Sequence, residues 1–226
     1  MKKVGLIGGI SWTSTLDYYR YINEGVNQRL GGLASCECIV YSLNFAEVQR
    51  IGWENSFKLI YEACLSLISS GVDGIALCAN TAHLFADKIQ NRIDIPIIHI
   101  LTATANAIRR KRLSKIGLLG TRFTMQMDFY RKKLEQYGIE TLVPESHDEV
   151  ERIHSIVKDE LGKGIVRDES RNILSQSCER LCQKGAEGIV LACTEIPLAI
   201  SQKDLDVPAF DTTKIHANAI VDFVLE

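Results

Sequence analysis

The chain has 226 residues, 46% hydrophobic and 24% charged, the balance of an ordinary globular protein long enough for one large domain or two small ones. A formal net charge of -2 gives no electrostatic reason to expect a nucleic-acid or membrane partner. The apolar run at the start, residues 4–7, ends in Gly8 and Gly9; it is too short for a signal segment or a membrane span, so the chain reads as cytoplasmic.

In chain order, short runs rich in branched apolar residues predict strands at 4–7, 38–42, 75–78 and 97–100. Between them, amphipathic patterns predict helices over 17–29 and 57–69. The second half repeats the plan, with strands at 116–119 and 189–192 and a long helix over about 149–161. Strand and helix in alternation imply an α/β fold whose parallel sheets are covered by helices on both faces.

The halves are also alike residue by residue. "KKVGLIGG" at 2–9 resembles "SKIGLLGT" at 114–121, an offset of 112. "SGVDGIALCANT" at 70–81 resembles "KGAEGIVLACTE" at 184–195, an offset of 114. "DIPIIHILTATANAI" at 94–108 resembles "DVPAFDTTKIHANAI" at 206–220, again offset by 112. Three matches in order at nearly one spacing indicate internal duplication into two similar lobes related by a pseudo-two-fold. The boundaries expected are 1–100 with 208–226 for the first lobe and 101–207 for the second, with an active-site cleft between them. Ligands of open α/β sheets bind at the carboxyl ends of strands, where "CANT" and "ACTE" fall.

Seven cysteines, an odd number in a chain read as cytoplasmic, argue for reduced thiols. Cys36 and Cys38 form C-x-C; Cys178 and Cys182 share a helix face; neither pair has the further ligands zinc needs. With Cys64 they read as small buried apolar side chains, and no metal is expected. The two remaining thiols are out of step. Aligned on the glycines, Cys193 falls opposite Ala79, and Cys78 falls opposite Ala192. Strand side chains alternate faces, so Cys193 and Ala79 share an orientation, while Cys78 points back toward a packing helix. A thiol before a helix N-terminus is favoured as thiolate by the helix dipole, and can act as base or nucleophile. His83 and His216 are candidates to activate it, though neither adjoins Cys193 in sequence, and His83 reads better as a polar residue at a helix start. Asn80, Thr81, Thr194, Ser11 and Thr121 supply hydroxyls and an amide for a carboxylate. There is no G-x-G-x-x-G, no P-loop lysine and no acidic residue placed for a ribose, so no cofactor is expected.

The stretches "GLIGGISWTSTLDYYR", "CANTAH", "LLGTRFTM…FYR" and "ACTEIPL" resemble the cofactor-independent aspartate/glutamate racemase family over nearly the whole chain. The resemblance implies two thiols, one per lobe, that remove and return the α-proton of an amino acid from opposite faces. Cys193, Thr194 and Glu195 match the second motif. In the first, Ala79 stands where the family has its cysteine, followed by Asn80 and Thr81. It implies catalysis by Cys193, with Thr81 or a water near Asn80 as a weak acid on the other face. It implies a substrate site of Ile10, Ser11, Gln49, Ala79, Asn80, Thr81, Thr121, Lys163, Thr194 and Glu195, with backbone amides at Gly8 and Gly9 near a carboxylate. Lys163 would meet the distal carboxylate, and Gln49 and Arg50 would lie near the side chain. The expected protein is a homodimeric racemase of aspartate, glutamate or both. It would be one-sided and L-selective. Two alternatives stay open: a single-cysteine decarboxylase or isomerase of the same superfamily, such as the arylmalonate decarboxylases, and a non-catalytic amino-acid or carboxylate sensor.

Overall fold

A computed structural model describes the whole chain, residues 1–226. Two compact units divide it: unit 1 is Met1–Ile100 with His216–Glu226, and unit 2 is Leu101–Ile215. Unit 1 holds strands β1 (Val4–Gly8), β2 (Cys38–Ser42), β3 (Gly74–Leu77) and β4 (Ile97–Ile98), with helices α1 (Trp12–Leu30), α2 (Phe45–Ile51), α3 (Phe57–Ser69) and α4 (Ala86–Gln90). Helix α5 (Ile100–Arg110) leads into unit 2. That unit holds β5 (Lys115–Gly120), β6 (Glu140–Leu142), β7 (Ile189–Ala192) and β8 (Ala209–Asp211), with α6 (Arg122–Gln126), α7 (Asp128–Glu135), α8 (His147–Ser155) and α9 (Asp168–Gln183). Helix α10 (Thr212–Leu225) carries the chain back. The sheets are all parallel, ordered β2-β1-β3-β4 and β6-β5-β7-β8.

Residues 208–215, which the repeats assign to the first lobe, belong to unit 2. The reason is β8, whose Ala209, Phe210 and Asp211 pair with Ile189, Val190 and Leu191 of β7.

Alternation along the strands decides the cores. In unit 1, Leu6, Ala76 and Cys78 pack with Tyr18, Ile22 and Val26 of α1 and with Ala217, Ile220, Val221 and Val224 of α10. Ile7, Ile75 and Leu77 point the other way, onto Ile60, Ala63, Cys64 and Leu67 of α3. Unit 2 repeats this second layer: Leu119, Ile189 and Leu191 meet Leu174, Cys178 and Leu181 of α9. Cys64 and Cys178 are fully buried, and burial pushes both thiols up to about 12. Gly5 and Gly117 let these helices approach, since a Cβ there would lie 2.9 Å from Leu67 and 3.0 Å from Leu181.

Polar clamps are duplicated as well. Asp73 accepts the Lys3 N–H at 2.7 Å, and Glu187 accepts those of Ser114 and Lys115 at 2.7 and 2.9 Å, fastening each third strand to its first at the amino end. Gln90 bonds the Ile95 carbonyl (3.1 Å) and the Ile97 N–H (2.7 Å); Gln202 bonds the Val207 carbonyl (3.1 Å) and the Ala209 N–H (2.9 Å). Each satisfies the backbone of a loop entering a fourth strand.

Three elements differ from the sequence expectation. Helix α1 begins five residues before the expected 17, because Ser11 caps it with Oγ accepting the Ser14 N–H at 3.4 Å. The apolar periodicity of Tyr18, Ile22 and Val26 starts only later. The expected helix over 149–161 is α8 followed by a π turn at Ile156–Glu160 and a 3-10 turn at Leu161–Lys163. The wider turn lets Leu161 follow Ile156 into the core. The expected fourth strand, 97–100, shortens to Ile97–Ile98, since Ile100 already opens α5.

Candidate functional site

In each sheet the first strand leads to neighbours on opposite sides, which makes the gap between first and third strands a topological switch point. In unit 2, Gly120 pairs with Ala192, so Thr121 and Cys193 leave the sheet side by side at the carboxyl end. Thr121 caps α6, its Oγ1 accepting the Thr124 N–H at 3.3 Å. Cys193 is 8% exposed, and its thiol donates to Glu195 Oε2 at 3.0 Å. The Thr194 hydroxyl donates to the same oxygen at 2.6 Å. Glu195 is itself buried.

This arrangement overturns the expectation of a thiolate favoured by a helix dipole. The segment after Cys193 is a three-residue 3-10 turn, Ile196–Leu198, with no substantial macrodipole. Burial holds the thiol well above its usual range, and the Glu195 carboxylate adds to the shift; the N–H groups of Glu195 and Ile196 at the sulfur oppose it without prevailing. Cys193 is therefore a protonated thiol at neutral pH. It is ready to donate a proton, and it becomes a base only after passing that proton on. Glu195 is the acceptor within reach, and the two N–H groups stabilise the thiolate that remains.

In unit 1, Ile7 pairs with Leu77, and the Cys78 N–H donates to the Ile7 carbonyl at 2.9 Å. One step further on, Gly9 and Ala79 hold the places that Thr121 and Cys193 hold in unit 2. Cys78 lies in the α1/α10 core at 1% exposure, its thiol pushed up by burial. Ala79 borders the α3 layer, as Cys193 borders the α9 side of its own core. Asn80 and Thr81 are buried at the start of the 3-10 turn Thr81–Phe85.

The other sequence candidates are spread more widely. The Gly9 N–H, expected near a carboxylate, donates to Thr15 Oγ1 at 2.9 Å. Gly9 has φ 81°, and a Cβ there would sit 2.1 Å from the Leu43 carbonyl oxygen, so the turn requires glycine. Ile10 is a core residue of the α3 layer, and Ser11 is half-buried as the α1 cap. Gln49 is exposed on α2 beside Arg50, which pairs with Glu47 at 2.6 Å. Lys163 is exposed at the end of its 3-10 turn.

A histidine network in unit 1 escaped the sequence reading. His83 and His216, considered there as activators of the thiol, are buried structural groups. His83 Nδ1 bonds the Ala79 carbonyl at 2.9 Å, and its Nε2 accepts the Ile100 N–H at 3.1 Å. Nδ1 therefore carries the proton. His216 Nε2 donates to the Ile98 carbonyl at 2.6 Å, and its Nδ1 accepts from the Tyr18 hydroxyl at 2.9 Å. His99 completes the cluster, its ring tilted 48° to that of His83 with centroids 4.7 Å apart, while His216 meets His83 edge-on at 5.5 Å. Burial, then His99 and His216, hold His83 well below the usual histidine range; burial lowers His216 to about 4. The network pins the backbone at Ala79 and the end of β4. The available signal was that both strand-end segments of unit 1 carry a histidine that their counterparts in unit 2 lack.

No group of three or more His, Cys, Asp and Glu side chains is arranged to hold a metal, and no helix is long and apolar enough to cross a membrane. Residues 7–220 match the Asp/Glu/Hydantoin racemase family. The crystal structure of a Yersinia pestis protein provisionally named an Asp/Glu racemase superposes with a TM-score of 0.93 at 42% identity, over 100% of both chains. An aspartate racemase homologue from Pyrococcus horikoshii OT3 gives 0.87 at 37%, again over 100% of both. A broad specificity amino-acid racemase of Bacillus subtilis (strain 168) is 27% identical over 228 residues, 98% of each chain.

Proposed function

Because the chain belongs to the Asp/Glu/hydantoin racemase family, we propose that it is a cofactor-independent amino-acid racemase acting on aspartate, glutamate or both, with Cys193 as its one thiol acid–base. The observation that carries this reading is the Cys193–Glu195 contact of 3.0 Å at the carboxyl end of β7, with alanine at the equivalent position after β3. Glu195 takes the thiol proton. The thiolate then removes the α-proton from one face of the substrate and returns it to the same face. A thiolate whose conjugate acid is weak is a correspondingly strong base, which suits a carbon acid.

The substrate carboxylate is held by hydroxyls and the amide at the strand ends: Thr121, Thr194, Ser11, Asn80 and Thr81. Lys163 meets the distal carboxylate and selects acidic amino acids. Ala79, which takes the place of Cys193 in the first half of the repeat, transfers no proton. Thr81 or a nearby water serves there weakly, since a hydroxyl is a far poorer acid than a thiol. The result is one-sided, L-selective exchange with slow inversion. The protein acts in the cytoplasm as a homodimer. Support for the dimer comes from Trp12, Leu16 and Tyr19, exposed at 70%, 59% and 51% on one stripe of α1; sedimentation of the wild type against Leu16→Glu tests it, and an unchanged mass would exclude that stripe.

The decisive experiment follows deuterium incorporation at Cα in heavy water and loss of optical rotation together, for L- and D-aspartate and L- and D-glutamate. The L forms are expected to exchange faster than they invert. Equal exchange of both enantiomers, with inversion at the same rate, would reveal a second base and overturn the one-sided reading.

A further inference from the structure

The repeat breaks at one position beside the strand ends. Aligned through Ala79 and Cys193, His83 of unit 1 corresponds to Pro197 of unit 2. The units also tie the ends of their third and fourth strands by different means. In unit 2 the Thr212 hydroxyl at the start of α10 donates to the Leu191 carbonyl of β7 at 2.9 Å, and the Cys193 carbonyl accepts the Ile196 N–H at 3.3 Å. In unit 1 the offset of 112 puts Ile100 in the place of Thr212, and isoleucine has no hydroxyl to donate. His83 performs both tasks instead. Its Nδ1–H donates to the Ala79 carbonyl just beyond β3, and its Nε2 accepts the Ile100 N–H just beyond β4, at 2.9 and 3.1 Å. The residue is 3% exposed with a hydrogen bond at each ring nitrogen, so the ring cannot turn over without leaving buried groups unpaired.

We propose that His83 is a positioning residue, which through the Ala79 carbonyl holds Asn80 and Thr81 in the orientation that substrate needs. This rests on the reading of those two as substrate groups. The link is the peptide plane. The Ala79 carbonyl and the Asn80 N–H belong to one planar trans unit, so fixing the carbonyl fixes the N–H on its opposite side. A hydrogen bond accepted by the carbonyl also polarises that N–H and makes it a better donor. Asn80 leads into the 3-10 turn Thr81–Phe85, which carries His83 itself, and the His83 N–H donates back to the Asn80 carbonyl at 3.1 Å. Two bonds from one histidine therefore bracket Asn80 and Thr81, both of them buried. Burial, then His99 and His216, keeps the imidazole neutral at pH 7, the form in which one nitrogen donates and the other accepts. Proline at the corresponding position of unit 2 has no side-chain group for either task.

Two variants separate the two ring bonds. An asparagine amide nitrogen stands where Nδ1 does, so His83→Asn keeps a donor for Ala79 and loses the acceptor for Ile100. Glutamine reaches the Nε2 position, so His83→Gln keeps the acceptor and loses the donor. Wild type and both variants are compared for deuterium incorporation at Cα and for inversion of L-aspartate and L-glutamate, with urea unfolding as the check on folding. His83→Gln is expected to lose roughly 10²-fold in kcat/KM for exchange, and more in inversion, since Thr81 or its water is the acid that inversion uses; His83→Asn should stay within about threefold of wild type. Long-range proton–nitrogen NMR of the wild type should find the His83 proton on Nδ1, a measurement that requires neither variant to fold nor substrate to turn over. A proton on Nε2, a His83→Gln variant as active as wild type, or variants that lose stability while the ratio of inversion to exchange stays at its wild-type value would each overturn the proposal. Wild type that exchanges neither amino acid would overturn the racemase reading itself, and this inference with it.

Discussion

Lowering the pH from 7.5 to 5 should destabilise unit 1 through His216. In the fold this imidazole is fully buried, donates to Ile98 and accepts from Tyr18, and titrates near 4; unfolded, it returns to about 6.5. The folded value lies below the unfolded one, so the unfolded chain binds more protons between the two. Stability is complete above about 6.5, falls as pH drops below it, and stops falling near 4. The gap between about 4 and about 6.5 is worth about 3 kcal/mol in full; by pH 5 about 2 kcal/mol of it is already lost. His83, also depressed, adds in the same direction. Both tryptophans of the chain, Trp12 and Trp53, lie in unit 1, so their fluorescence in a urea titration reports this unit. With a urea dependence of about 2 kcal/mol per molar, the His216 share alone moves the midpoint by roughly 1 M between pH 7.5 and 5. His216→Gln keeps a donor for Ile98 and an acceptor for Tyr18 but cannot titrate. It should cost about 1 kcal/mol at pH 7.5 and lose about 2 kcal/mol less than wild type on acidification. If wild type and variant lose the same stability between pH 7.5 and 5, His216 is not the group responsible and the reasoning fails.

Cys193→Ser should abolish α-hydrogen exchange, whereas Cys78→Ser should leave it in place and cost about 1–3 kcal/mol in urea unfolding, because its hydroxyl is placed in the α1/α10 core; equal loss of exchange in both folded variants would refute the register argument. Ala79→Cys should raise inversion relative to exchange by about 10²-fold or more, read by optical rotation against deuterium incorporation. Glu195→Gln removes the carboxylate that helps hold the Cys193 thiol up, so thiolate absorbance at 240 nm should appear at lower pH than in wild type, while exchange slows for want of a proton acceptor; an unmoved titration would show that Glu195 does not act on the sulfur. Lys163→Ala should weaken aspartate far more than alanine as substrate, and equal losses would return Lys163 to a surface role.

Much of the fold was legible because its causes are local. Branched apolar runs marked β1, β2, β3, β5 and β7, and the repeat carried the strand plan from one unit to the other. The short strands β6 and β8 were not legible: three residues each, they are held by ladder pairing rather than by a pattern of their own. The same pairing explains why residues 208–215 stay with unit 2. At the candidate site, the sequence alignment of Ala79 with Cys193 and of Cys78 with Ala192 corresponds to the register of the two sheets, since Ile7 pairs with Leu77 as Leu119 pairs with Leu191. Ser11 was read as a substrate group; its oxygen also caps α1, a task visible only once the helix start is known.

By itself the sequence determined what depends on order and alternation: two duplicated parallel α/β halves, the strands that end in "CANT" and "ACTE", and the face on which each of Cys78, Ala79 and Cys193 emerges. Side-chain direction in a strand follows from counting, so one residue of displacement between two thiols is enough to separate a core cysteine from one at the sheet edge. The tertiary structure alone decided the ionisation of those groups. Cys193 is a thiol rather than a thiolate because burial and the Glu195 carboxylate outweigh two N–H groups. His83 and His216, 133 positions apart, stay neutral because folding buries both, their rings edge to face with centroids 5.5 Å apart. A pKa is set by desolvation and by charges within a few ångströms, and those neighbours come from distant parts of the chain.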